Sequence, residues 1–310
     1  MSSTILSLLS GLGGMFGWGR YDFFAGVYSK KIGPHKTFFW SQSAGLLFVL
    51  LLIPVFTTTL NIPVLTIFLL PIAALFYSVG YLFFMKGFEV GNISIVAAIM
   101  NLWAVFTMLI AFVFMGQRLS MLQSLGVLMI VTGATLASLN WNEIKNRSFQ
   151  LSAGVKETIL GAFFFGVFWN ISEVISEEVG WLWTTVFVKI EIILFLLLIS
   201  FFMKREIYLT KAGAKTKLML VLMGILEAGA VAIVNFGLTI GDAILITPIA
   251  SALSVVTIMM AIVFLKDNVT KRHCVPQHAW GLPLEHVERE CNAWLDKWMG
   301  KPVSIPSPRL

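Results

Sequence analysis

The sequence predicts an all-α membrane protein made of two inverted repeats of transmembrane helices, and three observations carry that prediction. Of 310 residues, 58% are hydrophobic and only 12% charged, with mean hydropathy +0.87; a soluble domain carries about 25% charged residues to cover its wet surface. The apolar residues come in continuous runs of about 20, the length a helix needs to cross hydrocarbon, and not in the alternating stretches of a barrel strand. The chain also repeats itself after a shift of 150 residues. A disulfide scaffold is excluded, because the only cysteines are Cys274 and Cys291. Nucleic-acid binding is not expected, because the net charge of +6 is spread in short clusters between apolar runs.

Nine spans follow along the chain. The first, 4–28, is glycine-rich and holds Arg20 and Asp22, too long and polar for a cleaved signal peptide. Continuous apolar runs give 37–57, 63–86, 92–115 and 119–140. After a polar linker, 141–153, come 154–178, 181–203, 216–239 and 242–265. Fifteen basic residues, among them Lys30, Lys36, Lys86, Lys145, Lys204 and Arg272, fall at one set of alternating connections, and only Arg118 at the other. The positive-inside rule then places a multi-pass protein in the cell membrane with its N-terminus outside.

The repeat is most visible in the fourth and ninth spans. Gly87, Gly91, Ile99, Val105, Thr107, Ala111, Val113 and Phe114 match Gly237, Gly241, Ile249, Val255, Thr257, Ala261, Val263 and Phe264. Trp18 and Asp22 in the first span are echoed by Trp169 and Glu173 in the sixth, each pair four residues apart on one helical face. Repeats of five spans must run in opposite senses, because an odd number of crossings returns the chain on the far side. Such inverted repeats are the usual frame of alternating-access transporters, with the site near the midplane between halves.

The segment Gly87-Phe-Glu-Val-Gly-Asn-Ile-Ser, the exit Gly116-Gln-Arg-Leu-Ser, then Gln123 and Gly126 through Gly133, resembles the EamA-type repeat of the drug/metabolite transporter superfamily. A second copy runs from Gly237-Leu-Thr-Ile-Gly-Asp to Lys266-Asp-Asn-Val-Thr. The resemblance implies a first repeat at 1–140 with five spans and a second at 154–272 with four. It also implies ten spans in all, and transport of small metabolites, commonly export of amino acids or related compounds, or carriage of sugars. The tenth span is not there. The stretch 273–310 is polar, with five prolines, both cysteines and three histidines. Three readings stay open for this atypical tail: a shifted frame or altered C-terminus, an interfacial helix with Val287, Cys291, Trp294 and Trp298 on one face, or a metal site from His273, Cys274, His278, His286 and Cys291.

Ionisable side chains at bilayer depth are costly, so they face a partner or a pathway. Arg20, Asp22, Glu173, Lys189, Glu191 and Glu227 are the candidates, with Lys189 placed to neutralise Glu173 or Glu227. Tyr77 corresponds to Glu227 after the shift. Asn101, Trp103 and Ser251 fall at related positions of the fourth and ninth spans, beside Trp169 as an aromatic wall. Hydroxyls such as Ser251 have an equal claim to close helix packing. Buried ion pairs that merely fix packing are the plain alternative for the charges. Pro248 offers a kink in the ninth span that Ala98 in the fourth would lack, an asymmetric hinge. The expected protein is a secondary carrier of a small polar metabolite, amino acid-like, sugar-like or amine. It has the lipid bilayer and a small-molecule substrate as partners, and no cofactor, no metal, no nucleic acid and no enzymatic chemistry. Proton coupling through Glu173 or Glu227 is left open. A membrane receptor or lipid-handling subunit on the same repeat is the alternative.

Overall fold

In lipid every backbone polar group must be satisfied within the chain, and helices do this segment by segment. The computed structural model describes residues 3–56, 60–91, 93–121, 124–129, 132, 154–210, 212–241 and 243–265, and among these it contains no strand. The helices are α1 (Ser3–Ile32), α2 (Pro34–Leu52), α3 (Val64–Val90), α4 (Ile93–Met100), α5 (Leu102–Phe114), α6 (Val155–Val179), α7 (Trp181–Phe202), α8 (Ala214–Leu238), α9 (Ala243–Ser251) and α10 (Leu253–Leu265). Among the described residues, α3, α6, α7, α8 and the stretch 243–264 are long and apolar enough to cross a membrane. The second helix ends at Leu52, five residues before the expected 57, where a turn begins. The tail 273–310 and the linker 141–153 lie outside the described residues, and so do the readings that rest on them. The chain divides into two compact units, residues 1–139 with 149–258 and residues 140–148 with 259–310; all packing below is within the first.

The opposite sense of the repeats follows from helix direction. Helices α1 and α3 are parallel: Tyr21 meets Tyr81, Ser29 donates to Met85 and Lys30 to the Gly91 carbonyl, so residue numbers rise together. Helices α1 and α8 are antiparallel: a Cβ on Gly17 or Gly14 would meet Ala230 or Val234, and Ser10 and Ser7 abut Gly237 and, just past α8, Gly241. Since α8 is the counterpart of α3, a repeat of the same sense would have made that pairing parallel. The two repeats are inverted. Their shared glycines do the same work in each: Gly87 and Gly91 lie against Thr158 of α6 and Gly154 just before it, as Gly237 and Gly241 lie against α1.

Two features invisible to the 150-residue shift support the same symmetry. Gly33 and Gly180 each precede a helix with φ of +89° and +82°, a backbone region that favours glycine, and each lets the chain reverse sharply into α2 or α7. The fourth and ninth spans are both interrupted, at Asn101 and at Ala252, where the bonds Ala104 N–H to Asn101 O and Val255 N–H to Ala252 O shorten to i→i−3. This corrects the expected asymmetric hinge. The interruption follows the position in the repeat and not Pro248, which stands four residues before it.

Large apolar side chains such as Leu51, Phe68, Phe201 and Phe202 are exposed, as lipid permits. Small residues set the interior. A Cβ on Gly224 of α8 would lie 2.4 Å from the Ser41 carbonyl and 2.7 Å from the Gly45 nitrogen of α2, whereas one on Gly229 meets nothing nearer than Phe48 at 4.0 Å. Gly224→Ala should therefore destabilise by about 1–3 kcal/mol through overpacking, read as a lower melting temperature in detergent, while Gly229→Ala leaves it unchanged.

Candidate functional site

Three repeat-related pairs touch one another across the middle of the first unit, so the pseudo-two-fold axis runs between them. Trp18 and Trp169 meet edge to face with centroids 5.2 Å apart. Lys189 donates to Gln42 Oε1 at 2.9 Å, and these two residues are related by the same 147-residue shift that relates Gly180 to Gly33. Tyr77 Oη donates to Glu227 Oε1, its own counterpart, and Lys189 Nζ donates to Glu227 Oε2. All four members of this network are buried. Lys189 thus neutralises Glu227, the second of the two partners offered by the sequence.

Beside the network lies a small cavity lined by Trp18, Asp22, Tyr81, Phe84, Met100, Trp103, Phe165, Trp169 and Leu253. It has room for about one water molecule. Three tryptophans form one wall: Trp103 lies 6.2 Å from Trp18 and 6.0 Å from Trp169 by ring centroids. Asp22 is 1% exposed, yet neither carboxylate oxygen has a hydrogen-bond partner among the described residues, and the indole N–H groups of Trp18 and Trp169 are likewise unpartnered. Trp18 and Trp169 sit near the middle of α1 and α6, which sets the cavity at mid-bundle.

The counterpart of Asp22 is placed differently. Glu173 accepts from Gln117 Nε2 at 2.8 Å and from the Ala243 backbone N–H at 2.8 Å, while Gln117 Oε1 accepts from the Ile244 N–H at 3.3 Å. A carboxylate at the start of α9 takes up otherwise unpaired N–H groups and complements the helix dipole. Glu173 does not line the cavity with Asp22, so the two carboxylates are not presented to one ligand there. Asn101, at the interruption of the fourth span, donates to Ser254 Oγ at 3.0 Å, just past the interruption of the ninth. Ser251 bonds back to the Pro248 carbonyl and does not reach the cavity, the packing role weighed for it.

Gln42, Tyr81, Phe165 and Gln117 escaped sequence reading. Tyr81 and Phe165 each stand one turn from a residue already singled out, Tyr77 and Trp169, so helical spacing could have added them. Gln42 needed the 147-residue register of α2 and α7, which no stretch of identities marks.

Inverted halves, a polar network on their axis and a mid-bundle cavity define a membrane transporter. The EamA-like transporter family matches residues 5–139 and 153–275, one segment per repeat, and the chain belongs to that family. A solved structure described only as "Crystal structure of protein" shares the fold at TM-score 0.63 and 17% identity, covering 95% of this chain and 96% of that one. No curated protein matches the sequence.

The ion pair has a measurable signature. Lys189→Met strands Glu227 in the interior and should cost about 3–5 kcal/mol, whereas Lys189→Met with Glu227→Gln together should recover most of that loss. Melting temperatures of the two single variants and the double variant in detergent check it.

Proposed function

We propose that the protein is a secondary carrier of a small polar metabolite in the cell membrane, N-terminus outside, working by alternating access between its inverted halves. The mid-bundle cavity on the pseudo-two-fold axis carries this reading, because a site there is reached equally from either side when the halves rock. In the state described, Glu173 and Gln117 tie α6 and the loop after α5 to the start of α9. With the N-terminus outside, that tie closes the outer end. Glu173 and Glu227 are both engaged by partners, so loss or gain of a proton at either requires those contacts to change. That requirement supports coupling of proton movement to the change of access.

Cross-linking tests the rocking step. A Gln117→Cys, Ile244→Cys variant with Cys274→Ser and Cys291→Ser, in proteoliposomes loaded with a mixed panel of amines, amino acids and sugars, should lose flux when a short thiol-specific bifunctional reagent joins the pair. A cleavable version of the reagent should restore flux on reduction. Undiminished flux in the joined protein overturns alternating access at this end, and ligand binding without any flux in the unmodified protein favours a receptor.

A further inference from the structure

We infer that the cavity binds a small organic cation, an ammonium or guanidinium group on a compact body, with Asp22 as its counter-charge and Trp18, Trp103 and Trp169 as its walls. The inference rests on the carrier reading for its biology, but not for its chemistry. A buried carboxylate with two unpartnered oxygens at mid-bundle is costly unless something positive reaches it. The other charged groups of the bundle core are already taken: Lys189 by Glu227 and Gln42, and Glu173 by Gln117 and the start of α9. Among the described residues no lysine, arginine or histidine lines the cavity, so a ligand's anionic group would find no counter-charge in it.

The walls agree with the charge. Three indoles with mutual centroid distances of 5.2–6.2 Å line the space, close enough together for a cation over one ring to lie within about 6 Å of a ring centroid, the range of cation–π attraction. Trp18 and Trp169, both in the lining, each carry a buried indole N–H without a partner among the described residues, two donors available to an acceptor oxygen on the ligand such as a hydroxyl or carbonyl. The complementary solute therefore carries positive charge and one neutral acceptor. A neutral sugar could hydrogen-bond the carboxylate but would leave its charge uncompensated, and a simple carboxylic acid in its ionised form would face Asp22 with like charge. The present space holds about one water, so entry of the ligand requires the indoles to part, which makes their fluorescence a reporter of occupancy.

The test uses the full chain in detergent and in proteoliposomes, with choline, ethanolamine and guanidinium as cationic probes and glucose and lactate as neutral and anionic ones. Cations should change tryptophan fluorescence saturably and cross the membrane. Asp22→Asn should raise the half-saturating concentration about tenfold or more, a change readily resolved by titration. Asp22→Glu, keeping the charge, should stay within a few-fold, and unchanged melting temperature and elution volume show that both variants fold. Glucose or lactate binding equally in the wild type and Asp22→Asn overturns the cation inference and leaves the carrier reading standing. Cations that bind through Asp22 without crossing support the inference and overturn the carrier reading. No response to any cationic probe overturns the inference.

Discussion

A lysine and a glutamate can share the centre of a membrane bundle only in contact, because either one alone is an uncompensated charge in a medium that cannot solvate it. The Lys189–Glu227 pair sits where four helices meet: α7 brings Lys189 and α8 brings Glu227, while α2 brings Gln42 to accept a second bond from Lys189 and α3 brings Tyr77 to donate to the other Glu227 oxygen. A slide between halves leaves that pair whole, since both charges belong to the second repeat, but must break the buried hydrogen bonds from Tyr77 to Glu227 and from Lys189 to Gln42. Those two bonds, anchored on the ion pair, tie one repeat to the other beside the cavity.

Symmetry explains why the network has these members. On the axis of an inverted repeat a residue meets its own counterpart, so an identical charge at both positions would face itself. The axis positions of this protein obey that rule. Tyr77 faces Glu227 and Gln42 faces Lys189, each a neutral hydrogen-bonding partner opposite a charge, and the two charges then neutralise each other. Trp18 and Trp169 can be identical because indoles pack edge to face without penalty. Asp22 and Glu173 can both be acidic because neither approaches the other: one lines the cavity and the other closes onto α9.

Much of the fold was legible in the sequence because bilayer thickness imposes span length, and because inversion follows from an odd number of crossings. Finer features were hidden for definite reasons. The interruptions at Asn101 and Ala252 leave no common residue behind, since one holds asparagine and the other follows a proline by four positions. The repeat shift itself drifts, from 147 at Gly33 and Gly180 to 150 at Gly87 and Gly237, because loops differ in length, and a single offset misses α2 and α7. Of the site, the charged and tryptophan members stood out as anomalies in apolar spans. Which carboxylate was paired did not, because the spacing of Lys189 from Glu173 and from Glu227 gives no hint of helix contacts formed 38 residues further on.

The two unlike fates of Asp22 and Glu173 bear directly on how inverted halves could alternate. If the halves were in identical conformations, each carboxylate would hold the same relation to its neighbouring half-helix, and both ends of the bundle would be equally closed. Instead Glu173 engages the N-terminus of α9, while its counterpart lines the cavity without a hydrogen-bond partner among the described residues. An inverted pair of repeats in unlike conformations has an energetically equivalent-looking alternative in which the roles are exchanged, and the residues that differ between repeats decide how unequal the two states are. Replacement of one acidic side chain by a longer one is such a difference: Glu173 has an extra methylene with which to reach the Ala243 N–H, and Asp22 does not. On the proposed carrier reading, that extra carbon biases the protein toward closure at the α9 end, and a cation drawn to Asp22 is what the cavity has to set against it.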